Sequence, residues 1–141
     1  MASKITWNDK KVYARAMKQL EKNMNKTVAF LEGDCKKSMR GGSAMGTYVG
    51  GKYRKKKTIV RSAKGQPPFV ETGTLRTNIA GVVKRDLLGV KGYLGVKVGP
   101  ADEYASALEL GTPRMKPRPY LIPTITRNRL KIGRMIAGKL N

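Results

Sequence analysis

The side chains best suited to chemistry in this sequence are cations rather than catalytic groups. Five of them and one tyrosine occupy six consecutive positions: Lys52, Tyr53, Arg54, Lys55, Lys56 and Lys57. No acidic residue lies between Asp34 and Glu71, so this cluster has no neutralising neighbour in the sequence. Cationic side chains bind phosphate, and an interleaved tyrosine can stack on a base. The cluster is therefore a candidate nucleic-acid-facing site, although the composition fits a flexible linker equally well.

The sequence contains no recognisable catalytic or metal-binding pattern. It has no histidine, which excludes His-dependent triads, His general bases and His-ligated metals. Its one cysteine, Cys35, cannot form an internal disulfide or a Cys-based zinc site, and fits a small buried hydrophobe. The adjacent acids Asp102 and Glu103 fit a turn better than an acid–base pair. We therefore expect no enzymatic activity, no cofactor and no metal.

The overall charge favours an anionic partner. Thirty Lys and Arg against nine Asp and Glu give a net charge of +21 on 141 residues. A charge of this size opposes compaction by self-repulsion, which an anionic partner would relieve. Nucleic acid is the usual partner, and a solvated basic surface without a dedicated partner is the alternative. No apolar run reaches the roughly 18 residues of a membrane span, so no membrane association is expected.

The spacing of the apolar residues predicts two helices and a hairpin. Apolar residues recur at three- and four-residue steps over residues 8–39, which predicts a long amphipathic helix. Two strands are predicted, over residues 75–84 and 93–98, paired as an antiparallel hairpin around a turn at 86–92. A second helix is predicted over residues 119–140.

These elements predict a single α+β domain over residues 1–141. It consists of a long N-terminal helix, a small antiparallel sheet with a central hairpin, and a C-terminal helix. Residues 41–57 contain five glycines and sustain neither a helix nor a strand period. Seventeen residues is long for a connection inside a domain, so we expect a flexible, basic, Gly/Lys-rich loop there.

Three short motifs follow one another between residues 65 and 125. They read Val-Glu-Thr-Gly-Thr-Leu-Arg, then Tyr-Ala followed by Glu-Leu-Gly-Thr, then Pro-Arg-Pro-Tyr-Leu. In order and spacing they resemble the head–tail joining, or tail-completion, proteins of tailed bacteriophages, with Glu71 in place of the usual Asp and Tyr120 in place of the usual Phe. We interpret the motif residues as determinants of fold and assembly rather than as ligand sites. They are Val70, Thr72, Gly73, Leu75, Arg76, Tyr104, Glu109, Gly111, Thr112, Pro117, Arg118 and Pro119.

The resemblance implies a virion structural protein of the phage neck, assembled as a homo-oligomeric ring that joins the DNA-filled head to the tail. Its implied partners are the neighbouring connector and tail proteins, with double-stranded DNA passing non-specifically through the lumen. Its implied location is the head–tail junction, and the host cytoplasm during assembly. The alternative is a cellular, sequence-nonspecific nucleic-acid-binding protein of ribosomal or nucleoid type. Self-association separates the two, because a ring subunit needs two complementary surfaces.

Overall fold

The computed structural model describes residues 9–39, 47–49, 52–54, 62, 64–69, 73–99 and 101–139. Its helices are α1 (Asp9–Ser38), α2 (Thr74–Asn78), α3 (Asp102–Leu110), α4 (Leu121–Arg127) and α5 (Arg129–Ile136). Its strands are β1 (Thr47–Val49), β2 (Lys52–Arg54), β3 (Ile79–Asp86) and β4 (Gly89–Val96). This is the predicted α+β arrangement of a long N-terminal helix, an antiparallel hairpin and C-terminal helices. Of the helices described, none is both long enough and apolar enough to cross a membrane.

The long helix α1 is the element against which the hairpin and the C-terminal helices pack. Its buried positions include Met17, Val28, Leu31 and Cys35. At about 100° per residue these positions fall within one narrow arc, so the second half of the predicted apolar face is confirmed. Val12 and Ala16, the first two apolar residues in the predicted spacing, are exceptions: they rotate off this arc and are exposed, so the prediction is wrong for the first two turns of the helix.

The hairpin of β3 and β4 closes through two residues, Leu87 and Leu88, with Asp86 opposite Gly89. The predicted turn at 86–92 was therefore too long, and β4 begins four residues before the predicted strand. The side chain of Asp86 explains the difference. Its Oδ1 accepts the backbone N–H of Leu88 at 2.8 Å, and its Oδ2 pairs with Lys91 Nζ at 2.7 Å. Aspartate side chains commonly bond to backbone two residues ahead, and such a bond stabilises a tight turn.

The first predicted strand began too early, because residues 74–78 form the short helix α2. Gly73 precedes the helix with φ +82°, a conformation that glycine adopts without strain. Thr77 Oγ1 donates to the Thr74 carbonyl at 3.0 Å, and Asn78 Nδ2 donates to the same oxygen at 2.8 Å. Side-chain bonds of this kind give the backbone an alternative to a strand ladder.

The predicted C-terminal helix is divided at Asn128 into α4 and α5. Asn128 Nδ2 donates to the Thr124 carbonyl at 2.9 Å and to Asp34 Oδ2 at 2.7 Å, and Arg127 Nη2 donates to the same Asp34 oxygen at 2.7 Å. The Arg127 bond is the main cause of a lowered Asp34 pKa in the folded protein. Its contribution to stability is therefore present above the pKa of unfolded Asp and is lost as the pH falls through the lowered value.

Two short strands lie within the segment predicted as a flexible loop. β1 and β2 pair antiparallel, with Tyr48 opposite Tyr53. Two glycines, Gly50 and Gly51, separate the strands in the sequence, a composition typical of two-residue hairpin connections. The rest of residues 41–57 lies outside the described residues, so the flexibility of this segment stays a prediction.

The core lies between α1, the start of the hairpin and the C-terminal segments. Its buried members are Cys35, Met39, Leu75, Ile79, Ala101, Ala105 and Tyr120. Cys35 is completely buried, as expected of a small hydrophobe, and burial raises the pKa of its thiol to about 11. The thiol therefore stays protonated at neutral pH, which is typical of an inert structural cysteine.

Two glycines let the hairpin approach α1 closely. A Cβ at Gly81 would overlap Val28 Cγ1, and a Cβ at Gly92 would lie 2.7 Å from Val28 Cγ2. The Gly81 N–H donates to Glu32 Oε2 at 3.0 Å, and Glu32 pairs with Lys36 at 2.6 Å. The backbone of β3 is thus held directly against α1 by van der Waals contact and a hydrogen bond.

Candidate functional site

The second and third motifs meet where α3 ends and α4 begins, and Glu109 makes the central contacts. Its Oε2 accepts the backbone N–H groups of Tyr120 at 2.8 Å and of Leu121 at 3.0 Å. Its Oε1 accepts the N–H of Ile122 at 2.8 Å. The first N–H groups of a helix have no partner inside it, and the N-terminal end carries partial positive charge. A single carboxylate therefore satisfies three donors and joins the second motif to the third.

The connection after α3 requires the glycine of the second motif. Gly111 has φ +81°, and a Cβ there would lie 2.9 Å from Pro117 Cδ. Next to it, Thr112 and Met115 exchange two backbone hydrogen bonds of 2.8 and 3.1 Å. This tight turn brings the chain back toward α3, so that the third motif lies beside the second.

Two further contacts complete the junction, which we define as the contacts of Glu109, Gly111 and Pro117 with their neighbours. The Arg118 N–H donates to the carbonyl of Leu108 at 2.7 Å. Gly65, just before the first motif, donates its N–H to the Pro117 carbonyl at 3.2 Å. Leu75 of the first motif shares the core cluster with Tyr120 of the third.

The other predicted site residues are distributed more widely. Among the motif residues, Arg76 is half-buried on α2, Tyr104 is exposed in the first turn of α3, and Pro119 is half-buried before α4. Of the basic cluster, the backbones of Lys52, Tyr53 and Arg54 form β2. Five predicted residues lie outside the described residues: Lys55, Lys56, Lys57, Val70 and Thr72.

Buried polar atoms lie on the residues of the third motif. Arg118 Nε and the Tyr120 hydroxyl are buried and have no hydrogen-bond partner among the described residues. Burial is also the main cause of a raised pKa at Tyr120. The ring of Tyr120 lies among apolar side chains, so the phenylalanine that is usual at this motif position would suit the same surroundings.

Sequence reasoning missed Asn23, a buried polar residue on α1. Its Nδ2 donates to the Ile136 carbonyl at 3.0 Å, and its Oδ1 accepts Gln19 Nε2 at 3.0 Å. It therefore fastens the end of α5 to α1. The only signal in the sequence is that Asn23 and the buried Thr27 stand four residues apart within an amphipathic helix.

The junction is suited to positioning backbone, because both oxygens of Glu109 already accept backbone N–H groups. Among the residues described, no three His, Cys, Asp or Glu side chains are grouped so as to hold a metal ion. Comparison of the chain with protein families, curated proteins and solved structures finds no match to any of them.

Proposed function

We propose that this chain is a structural subunit of the neck of a tailed bacteriophage. Identical copies would form a ring between the DNA-filled head and the tail. The observation that carries the proposal is the junction, where Glu109 joins the second motif to the third, while Gly65, five residues before the first motif, hydrogen-bonds to Pro117 and Leu75 of the first motif shares the core with Tyr120. Motifs that lie together in the fold support a family resemblance more strongly than motifs scattered over it. Their order and spacing in the sequence are then needed to form one structural feature.

The hairpin provides a surface for a neighbouring copy. Leu87 and Leu88 at its turn are 98% and 90% exposed. Val82 and Tyr93 lie opposite each other on the face directed away from α1, and both are half-exposed. Grouped apolar side chains in contact with water commonly mark protein–protein contacts. A ring subunit needs such a surface, whereas a nucleic-acid-binding protein that acts as a single copy does not.

The edge of β4 offers a second element of the same surface. The Gly81 N–H on the edge of β3 is occupied by Glu32. No described residue outside the hairpin hydrogen-bonds to the backbone of Val90, Gly92 or Leu94 on the edge of β4. Unpaired strand edges readily accept another strand, so β4 is the edge on which a neighbouring copy would pair.

The proposed partners are further copies of the chain, the connector and tail proteins on either side, and double-stranded DNA in the lumen. The proposed location is the head–tail junction of the virion, with the host cytoplasm as the place of assembly. The second candidate is a cellular, sequence-nonspecific nucleic-acid-binding protein, which the net charge of +21 favours. The two candidates differ in whether the chain must associate with itself.

Native mass spectrometry tests this difference. We expect closed oligomers of the 15.5 kDa chain, either alone or when the adjoining head and tail proteins are added. Replacing both Leu87 and Leu88 with serine should reduce the oligomer at least several-fold, because this removes the most exposed apolar surface of the hairpin. The matched control is Val98→Ser, which changes an equally exposed residue outside the hairpin. Single copies under every condition, with and without the adjoining proteins, would contradict the ring.

A further inference from the structure

One face of α1 carries a stripe of cations that begins near the start of the helix and extends past its middle. The members of this α1 stripe are all exposed: Lys11, Arg15, Lys18, Lys22 and Lys26. Successive members are four, three, four and four residues apart, so at about 100° per residue they fall within an arc of roughly 80° of the helix surface. At 1.5 Å per residue the stripe extends over about 22 Å. It lies on the side of α1 opposite the buried Met17 and Val28.

The charges of the α1 stripe are not neutralised within the described part of the chain. None of its five residues forms an ion pair or a ring contact there. Glu21 lies to one side of the arc and is 3.9 Å from Arg85. Like charges four residues apart on a helix repel each other, so the stripe lowers the stability of α1 unless an anion lies against it.

We propose that the α1 stripe binds the phosphate backbone of double-stranded DNA without reading its sequence. DNA carries one negative charge per roughly 1.7 Å of its axis, so a 22 Å stripe faces many phosphates at once. Contacts of Lys and Arg with phosphate position a protein but carry no sequence information. This site is separate in sequence from the basic cluster at residues 52–57.

The composition of the α1 stripe favours DNA over an acidic protein surface. Protein interfaces are depleted in lysine at their centres and enriched in aromatic side chains and methionine. The stripe consists of four lysines and one arginine, and the exposed Val12 and Tyr13 lie outside its arc. Such a surface offers positive charge but little apolar area to bury against a protein. It is therefore better suited to a phosphate backbone.

This inference rests on the proposed function in one respect only: the DNA is taken to be that of the virion. The binding site itself requires no ring. A failure of DNA binding and a failure of self-association are therefore separate results, one measured by titration with DNA and the other by native mass.

The test is a salt titration of binding to a short, random-sequence DNA duplex, followed by fluorescence anisotropy of the labelled DNA. The stripe variant replaces all five stripe residues with glutamine. The control variant replaces five exposed cations elsewhere with glutamine: Arg114, Lys116, Arg129, Arg134 and Lys139. Both variants remove five positive charges, so a difference between them does not reflect the net charge. Far-UV circular dichroism checks that each variant is folded. If the five-residue stripe variant does not fold, a variant in which only Arg15, Lys18 and Lys22 are replaced takes its place.

We expect the stripe variant to lower the salt slope of binding by up to about 4.5, since each of five lost phosphate contacts lowers it by about 0.9. At about 50 mM salt this corresponds to a loss of affinity of at least a hundredfold, and the difference should shrink as salt rises. The control variant should change the slope much less. Equal effects of the two variants would overturn the proposal, because binding would then depend on net charge alone. Unchanged DNA binding by the stripe variant, with loss of binding to polyglutamate, would overturn it in favour of an acidic protein partner.

Discussion

Replacing Glu109 with glutamine is expected to lower the free energy of unfolding by about 2–3 kcal/mol. The carboxylate accepts three backbone N–H groups, from Tyr120, Leu121 and Ile122. The glutamine amide keeps one carbonyl oxygen and presents an NH₂ group to a donor. At least one backbone N–H then loses its acceptor, and the negative charge at the start of α4 is lost as well. Urea-induced unfolding, followed by circular dichroism, measures the change.

Glu103→Gln is the matched control for this prediction. Glu103 lies on the same helix, α3, and is exposed in its first turn. The same chemical change there removes only a favourable interaction with the helix end, so it should cost about 0.5 kcal/mol. If the two variants lose stability equally, the junction is not held by the carboxylate of Glu109, and the structural argument for the motif resemblance fails with it.

Gly81→Ala is expected to lower the free energy of unfolding by about 1–3 kcal/mol. The added Cβ would overlap Val28 Cγ1, and Val28 is a β-branched residue inside a helix, where its side chain has little rotational freedom. The hairpin must therefore shift away from α1, which also lengthens the bond between the Gly81 N–H and Glu32. Thermal and urea unfolding of the variant measure the loss.

Gly95→Ala is the control for this substitution, because no atom lies within 4 Å of a Cβ at that position. Its cost should be about 0.5 kcal/mol or less. The double variant Gly81→Ala/Val28→Ala should be less destabilised than the sum of the two single variants, because the smaller side chain makes room for the new methyl group. Equal costs at Gly81 and Gly95, or strict additivity in the double variant, would show that the hairpin is not closely packed on α1.

The sequence was most informative where a pattern is local and repeated. The amphipathic period of α1 and the two apolar strands were predicted from spacing alone, and the structure confirms both elements. The turn between the strands was misjudged because it contains neither glycine nor asparagine, and the side chain of Asp86 closes it instead. The helical turn of α2 depends on side-chain bonds of Thr77 and Asn78 to the backbone, which a hydrophobic pattern does not register.

Features that depend on tertiary contacts could not be predicted. Asn128 interrupts the C-terminal helix, and its partner Asp34 lies 94 residues away in the sequence. The three motifs are visible in the sequence, but the role of Glu109 is not. That role depends on the turn that brings the start of α4 to the end of α3. The α1 stripe does not stand out in the sequence because its cations are spread over sixteen residues, whereas the cluster at residues 52–57 is contiguous. A basic face is visible only once the helix places its members on one side.

The most direct test of the proposed neck function is electron microscopy of phage particles assembled without this chain. We expect DNA-filled heads and complete tails that remain separate, and joined particles after the purified protein is added back. Addition of the variant with serine at Leu87 and Leu88 should restore far fewer joined particles than the unchanged protein. Heads and tails that join in normal numbers in the absence of the chain would contradict the proposed neck function.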